Sequence, residues 1–180
     1  CSQFSTTTGA GNNSMGHKSM ENHTTGDSNV AIGEQSLRMN TTASNNTAVG
    51  TESLCANTTA TGNTAVGYKT LKRNTTENNT GVGFEAMCDN TTGDSNTGVG
   101  KGALIRNTTA ARNTAVGMNA LFSTTTGYSV TAVGACALFT NTEGHSNTAI
   151  GTNTLKLVTT GDCNTSIGKD AGENTTTGDN

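Results

Sequence analysis

The sequence predicts an all-β fold, a parallel β-solenoid of about ten coils of 17 residues each. Three observations predict it. A five-residue unit, Asn63-Thr64-Ala65-Val66-Gly67 in its plainest form, recurs along the whole chain. Its closing glycines, Gly16, Gly33, Gly50, Gly67, Gly83, Gly100, Gly117, Gly134, Gly151 and Gly168, are 17 residues apart except for 16 between Gly67 and Gly83. Apolar residues keep the same phase: Met20, Leu37, Leu54, Leu71, Met87, Leu104, Leu121, Leu138 and Leu155 each stand four after a glycine.

Taken in order with the glycine as position zero, residues 1–11 already follow the phase, with Phe4 at position five and Thr7-Thr8-Gly9 as a turn. Nine full coils follow, and the last repeat breaks the leucine rule with Ala171-Gly172. Each coil reads as two short extended runs and two turns. The first run is Asn-Thr-Ala-Val-Gly, in which Val and the residue two before it share one face and Ala and Gly the other. The nearly bare Ala/Gly face is expected to line a seam shared by several chains. The second run is expected around Ala-Leu, as at Ala103-Leu104 and Ala120-Leu121. Asn-Thr-Thr-Gly-Asp, as at residues 90–94, is turn chemistry. The missing residue falls in this turn, near Glu77-Asn78, where a loop can absorb it. A helix is excluded, because Val and Leu are five and then twelve apart and fit no 3.6-residue period.

Composition points the same way. Only 31% of the chain is hydrophobic, with no Pro or Trp, yet the net charge is only −3. A disordered chain has no reason to hold apolar residues in register, whereas a solenoid needs few per coil. One Val and one Leu per coil is a thin core, which favours several chains side by side. Near-neutral charge leaves no electrostatic footprint for nucleic acid. No apolar run is long enough to cross a bilayer as a helix. The chain begins and ends within the repeat and is read as one repeat domain, residues 1–180, of a longer fibre protein.

The Asn-x-Ala-Val/Ile-Gly unit resembles the head repeats of trimeric autotransporter adhesins, most closely at Asn29-Val30-Ala31-Ile32-Gly33 and again at Asn147-Thr148-Ala149-Ile150-Gly151. With Ala-Leu and Asn-Thr-Thr-Gly added, it is also similar to repeats of phage and large-virus fibre proteins. The resemblance implies a left-handed β-roll, a homotrimer exposed on a cell or virion surface, and attachment to a receptor or glycan. It also implies a structural role for Gly33, Gly50, Gly67, Gly100, Gly117, Gly134 and Gly151.

Candidate sites are few. Cys88, Ile105, Phe122 and Phe139 form an apolar stripe at position five, which elsewhere holds Glu21, Arg38, Lys72 and Lys156 and so is expected to face solvent. Tyr68 and Phe84 make a second pair, one after the glycine. Such a row marks either a contact surface or local packing inside a groove of the trimer. The Thr column at position eight, from Thr24 to Thr176, suggests an ice-binding alternative, but hydrogen bonding along the turns accounts for it more simply. The Asn column before each unit, interrupted by Val130, is expected to be an amide ladder. The five cysteines lack metal spacing and are expected to be mostly free thiols. No catalytic constellation, cofactor motif or metal cluster is visible, and a left-handed β-helix acyltransferase lacks its aliphatic residue every six positions. The function expected from these residues is non-enzymatic: a structural and adhesive segment of a surface fibre.

Overall fold

The computed structural model describes residues 8–179; the readings placed on Cys1, Phe4 and Thr7 lie outside them. Among the described residues there are ten three-residue strands: β1 (Asn13–Met15), β2 (Val30–Ile32), β3 (Thr47–Val49), β4 (Thr64–Val66), β5 (Thr80–Val82), β6 (Thr97–Val99), β7 (Thr114–Val116), β8 (Thr131–Val133), β9 (Thr148–Ile150) and β10 (Thr165–Ile167). They form one sheet in strict sequence order, every neighbouring pair parallel. The chain is therefore an all-β solenoid, as the repeat predicts. Register joins like to like: Thr47 faces Thr64, Ala48 faces Ala65 and Val49 faces Val66. β4 and β5 keep this register, Thr64 against Thr80, although only 16 residues separate them. The shortfall is absorbed in the turn, as expected.

Two expectations are corrected. The Ala-Leu run is not a strand; each coil has one strand, and Leu sits in a turn. The Ala/Gly face is not a seam between chains. Ala31, Ala48, Ala65, Ala115, Ala132 and Ala149 are fully buried inside their own chain, in one cluster with the leucines. The physical reason is the width of the coil. Leu enters from the opposite wall and fills the interior, so only a very small residue fits across from it. Where that residue is glycine, an added Cβ would lie 2.6 Å from Thr70 Cγ2 and 3.3 Å from Leu71 Cγ at Gly81, and 2.8 Å from Met87 Cγ at Gly98. Val and Thr of the strand therefore point outward.

The path is tight. Leu37, Leu54, Leu71, Leu104, Leu121, Leu138 and Leu155 all have φ between 47° and 51°, a conformation that bulky residues rarely adopt. Positions two and twelve are also left-handed, for example Gln35 and Asn45. These reversals aim successive N–H groups at opposite neighbours. Gln35 donates back to His17 O at 2.9 Å, and Leu37 donates forward to Ser53 O at 3.0 Å. Each coil thus uses both neighbours to satisfy its backbone. The repeat glycines stack directly: φ is 136° at Gly67, and a Cβ there would lie 2.3 Å from Gly83 O.

Two buried asparagine columns fill the polar half of the interior. Asn46 Nδ2 donates to Ala60 O at 3.0 Å in the next coil, while its Oδ1 accepts the Asn63 N–H at 2.9 Å. Asn57 Nδ2 donates to the same Ala60 O at 3.0 Å. Both columns thus converge on the carbonyl of position ten, and the amide ladder expected at position thirteen is present. At Val130 the N–H still reaches Asn113 Oδ1 at 2.8 Å, but Val130 offers nothing to Asn147 in return. His23 stands in for asparagine: Nε2 meets Gly26 O at 2.9 Å and Nδ1 accepts from Asn40 Nδ2 at 2.9 Å, which fixes the neutral Nε2–H tautomer.

Opposite substitutions in one column should move stability in opposite directions. Asn46→Ala, which orphans the Asn63 N–H, is expected to cost about 1–3 kcal/mol, and Val130→Asn to gain about 1 kcal/mol, read from urea midpoints at constant slope. Gly67→Ala should destabilise more than Gly168→Ala, because a Cβ at Gly168 meets nothing nearer than Ala171 Cβ at 3.8 Å.

Candidate functional site

The outer face of the sheet is one uninterrupted surface across the ten strands. Positions fourteen and sixteen of successive strands set a rank of Thr (Thr47, Thr64, Thr80, Thr97, Thr114, Thr131, Thr148 and Thr165) beside a rank of Val, Ile or Met. Nine steps of about 4.8 Å make it roughly 43 Å long. No strand residue is charged. Among the described residues, the hydroxyls of these threonines make no hydrogen bond within the chain. Ile167 and Met15 are 69% and 64% exposed at the two ends, and Val66, Val116 and Ile150 are exposed between them. Past the glycine turn the strip adjoins Tyr68, Phe84 and Met118, all exposed. Tyr68 and Phe84 stack with ring centres 5.2 Å apart, with Lys69 Nζ 4.9 Å from the Tyr68 ring and Lys101 Nζ 5.8 Å from Phe84.

The stripe at position five lies at a different turn. Cys88, Ile105, Phe122 and Phe139 are half-buried rather than solvent-facing. Phe122 and Phe139 stack at 4.8 Å, and Arg106 lies 5.1 Å from the Phe122 ring centre. Position two of one coil lies beside position five of the next, so that a Cβ added at Gly102 would lie 4.0 Å from Phe122 Cδ2. The same adjacency pairs Glu52 with Lys72 at 2.8 Å, a contact that holds the Glu52 carboxyl below its ordinary range. The structure therefore keeps the two apolar candidates apart, and Tyr68 and Phe84 belong with the sheet strip.

The remaining columns are internal devices. Apart from Thr58, the position-eight threonines from Thr24 to Thr159 donate to the carbonyl of their counterpart one coil on, as from Thr41 Oγ1 to Thr58 O at 3.2 Å and from Thr91 Oγ1 to Thr108 O at 2.9 Å. That column is engaged along the turns, as the simpler reading has it. Cys55, Cys88, Cys136 and Cys163 are free thiols. Burial pushes the Cys55 and Cys88 thiols above the usual range, which disfavours the thiolate. Tyr128 stacks on His145 at 4.6 Å, and His145 Nε2 meets Asp162 Oδ2 at 3.0 Å. Among the described residues no group of three or more His, Cys, Asp or Glu side chains could hold a metal ion. No helix is long and apolar enough to cross a membrane.

Two features escaped the sequence reading. One is the outward Thr/Val strip, assigned there to the opposite face. Its signal was position fifteen, which accepts only Ala, Gly or Ser from Ser14 to Ser166 and so marks the tight side. The other is a cleft of about 440 Å³ at the short coil, lined among others by Thr59, Thr75, Glu77 and Asp94. Compared with protein-family models, with curated proteins and with solved structures, the chain matches none of them.

Thiol labelling checks this placement. An alkylating reagent near neutral pH, followed by peptide mass spectrometry, should modify exposed Cys163 first and Cys55, which is only 7% exposed, last. Labelling of Cys55 ahead of Cys163 would contradict the burial order.

Proposed function

We propose that this chain is a non-enzymatic structural and adhesive segment of a trimeric fibre on a cell or virion surface. One observation carries the reading: an uncharged outward strip runs across all ten strands, with Thr in eight of them beside a rank of Val, Ile or Met. An exposed apolar patch of that length on a rod is a contact surface. The same face supplies the contact between chains, in place of the buried alanines. At roughly 43 by 10 Å, two copies meeting on the strip alone bury about 860 Å² in total, below the range of stable pairs. Closing three chains around it also engages the neighbouring Tyr68, Phe84 and Met118 column. Attachment to a receptor or glycan then falls to the outer turns.

Light scattering at micromolar concentration should give about three times the 18.2 kDa chain mass. Val66→Lys combined with Val99→Lys should reduce it to the mass of one chain while the β circular dichroism is retained. A stable single chain in the unsubstituted protein removes the trimer.

A second reading is favoured by a specific feature of the strip. Its paired ranks are regular and flat and carry free hydroxyls beside methyl groups, a surface on which ordered water can be held. An ice-binding solenoid would use this face and not the position-eight column. Thermal hysteresis in dilute solution, abolished by Thr97→Lys, supports it; no hysteresis ends it.

A further inference from the structure

The short coil is the one break in the period, and it opens the cleft. In every other full coil a small residue stands between positions nine and eleven, as Ala60 and Gly93 do on either side. Between Thr76 and Glu77 it is absent. Two hydrogen-bonding arrangements fail there as a result. Asn63 Nδ2, with no position-ten carbonyl to reach, turns to Thr61 O at 3.4 Å, and Asn74 Nδ2 turns to Thr76 O at 2.6 Å. The Thr75 carbonyl also drops out of the turn ladder. Its counterparts Thr41, Thr58, Thr91, Thr108, Thr125, Thr142, Thr159 and Thr176 all accept backbone or hydroxyl donors from the coil before. Among the described residues Thr75 O accepts none, and the N–H groups of Thr58 and Thr59 donate to nothing in the chain.

The cleft walls therefore hold backbone groups of both kinds that the protein leaves unused. Beside them stand the Thr59 and Thr92 hydroxyls, likewise unengaged, and two carboxylates. Glu77 Oε1 accepts only from Thr61 Oγ1 at 3.3 Å, and Asp94 Oδ2 only from Ser95 Oγ at 3.0 Å, so each keeps an oxygen free. No Lys, Arg or aromatic residue lines the space. Mixed donors and acceptors with two carboxylates match a ligand whose groups both donate and accept, and they repel an anion. The volume falls within the range that takes a small organic molecule and is far larger than a bare ion needs.

We infer that the short coil is a binding site for one uncharged sugar residue of a surface glycan. Adjacent sugar hydroxyls donate to Glu77, Asp94 and the Thr75 carbonyl, and accept from the Thr59 N–H group. The inference rests on the fibre reading and gives its attachment step a place. One such site per chain becomes three per fibre, and binding through three weak sites at once raises the effective affinity without a new contact.

The test restores the missing residue. A glycine inserted between Thr76 and Glu77 completes the coil to 17 residues and fills the cleft. Carbon-resolved NMR of the assembled protein follows the methyl groups of Thr59, Ala60, Thr76 and Thr92 during titration with D-glucose, D-galactose, D-mannose and N-acetylglucosamine. The expected result is saturable shifts with at least one neutral sugar. They should weaken at least tenfold in the insertion variant and in Glu77→Gln combined with Asp94→Asn, and N-acetylneuraminate should bind more weakly still. Equal binding by the insertion variant overturns the site. So do shifts produced by calcium ions alone, with no sugar producing any. A protein that keeps its trimer mass while no sugar moves these methyls overturns the cleft and leaves the fibre reading standing; a single chain that still binds sugar does the reverse.

Discussion

The structure depends on the carbonyl at the tenth position of the coil, which at Ala43, Ala60, Gly93 and Ala110 receives two buried amides, one from its own coil and one from the coil before, and at Gly127, Gly144 and Gly161 receives one. Ala60 O takes Asn57 and Asn46, and Ala110 O takes Asn107 and Asn96. A coil this narrow has room for one Leu against one Ala, far too little apolar area to fix a chain path by itself. Half of its interior is necessarily polar. Buried polar groups stabilise only if every member has a partner, since each one left alone costs about 1–3 kcal/mol. The position-thirteen column meets this condition by reaching along the rod, whereas at position seven Asn40, Asn57, Asn107 and Asn141 each keep a buried Oδ1 without a partner. Through position thirteen, what holds one coil together also joins it to the next.

That linkage explains how a backbone with a left-handed leucine or methionine in every full coil persists. Such a leucine costs about 1–2 kcal/mol taken alone. The same turn sends its N–H to the following coil and buries the side chain completely. Burial of a leucine stabilises by about 1.5–3 kcal/mol, so the local strain is offset only when the next coil is in place. Stability of this kind is approximately a sum over neighbours along one dimension. It tolerates a dropped residue, as at the short coil, if the strand register on both sides survives.

The period, the strand and the turns were legible in the sequence because each has a local chemical cause. Thr-Ala-Val is extended by β-branching and alternation, and Asn-Thr-Thr-Gly is turn-forming. Which face of the strand pointed inward was not legible from the alternation alone. Val is the larger apolar residue, and burying it is the ordinary expectation. The answer lay in a residue outside the strand: Leu, delivered from position four by a left-handed turn that leucine itself does not advertise. The expected exposure of the position-five stripe differed from the structure for a related reason. Phe122 and Phe139 share a column with Lys72 and Lys156, and from composition that column reads as exposed. Long charged side chains, however, can run along a half-buried groove and keep only their tips in water.

Function on such a scaffold has to be sought where the repeat is broken. Positions that recur without exception are those whose change would orphan a hydrogen bond or strike the next coil, so their constancy says nothing about partners. The positions free to vary face outward, and their variation is not spread evenly. At position one, Tyr68, Phe84, Met118 and Ala135 are apolar, while His17, Glu34 and Lys169 mark the coils nearer the two ends. Lys101 interrupts that set at position one, and at position five Cys88, Ile105, Phe122 and Phe139 stand between Lys72 and Lys156, sharing three of the four coils. The dropped residue lies in the same stretch. Folding demands none of these departures, since coils at either end fold without them. The departures gather in the middle of the rod, on a scaffold whose own stability is supplied by its interior.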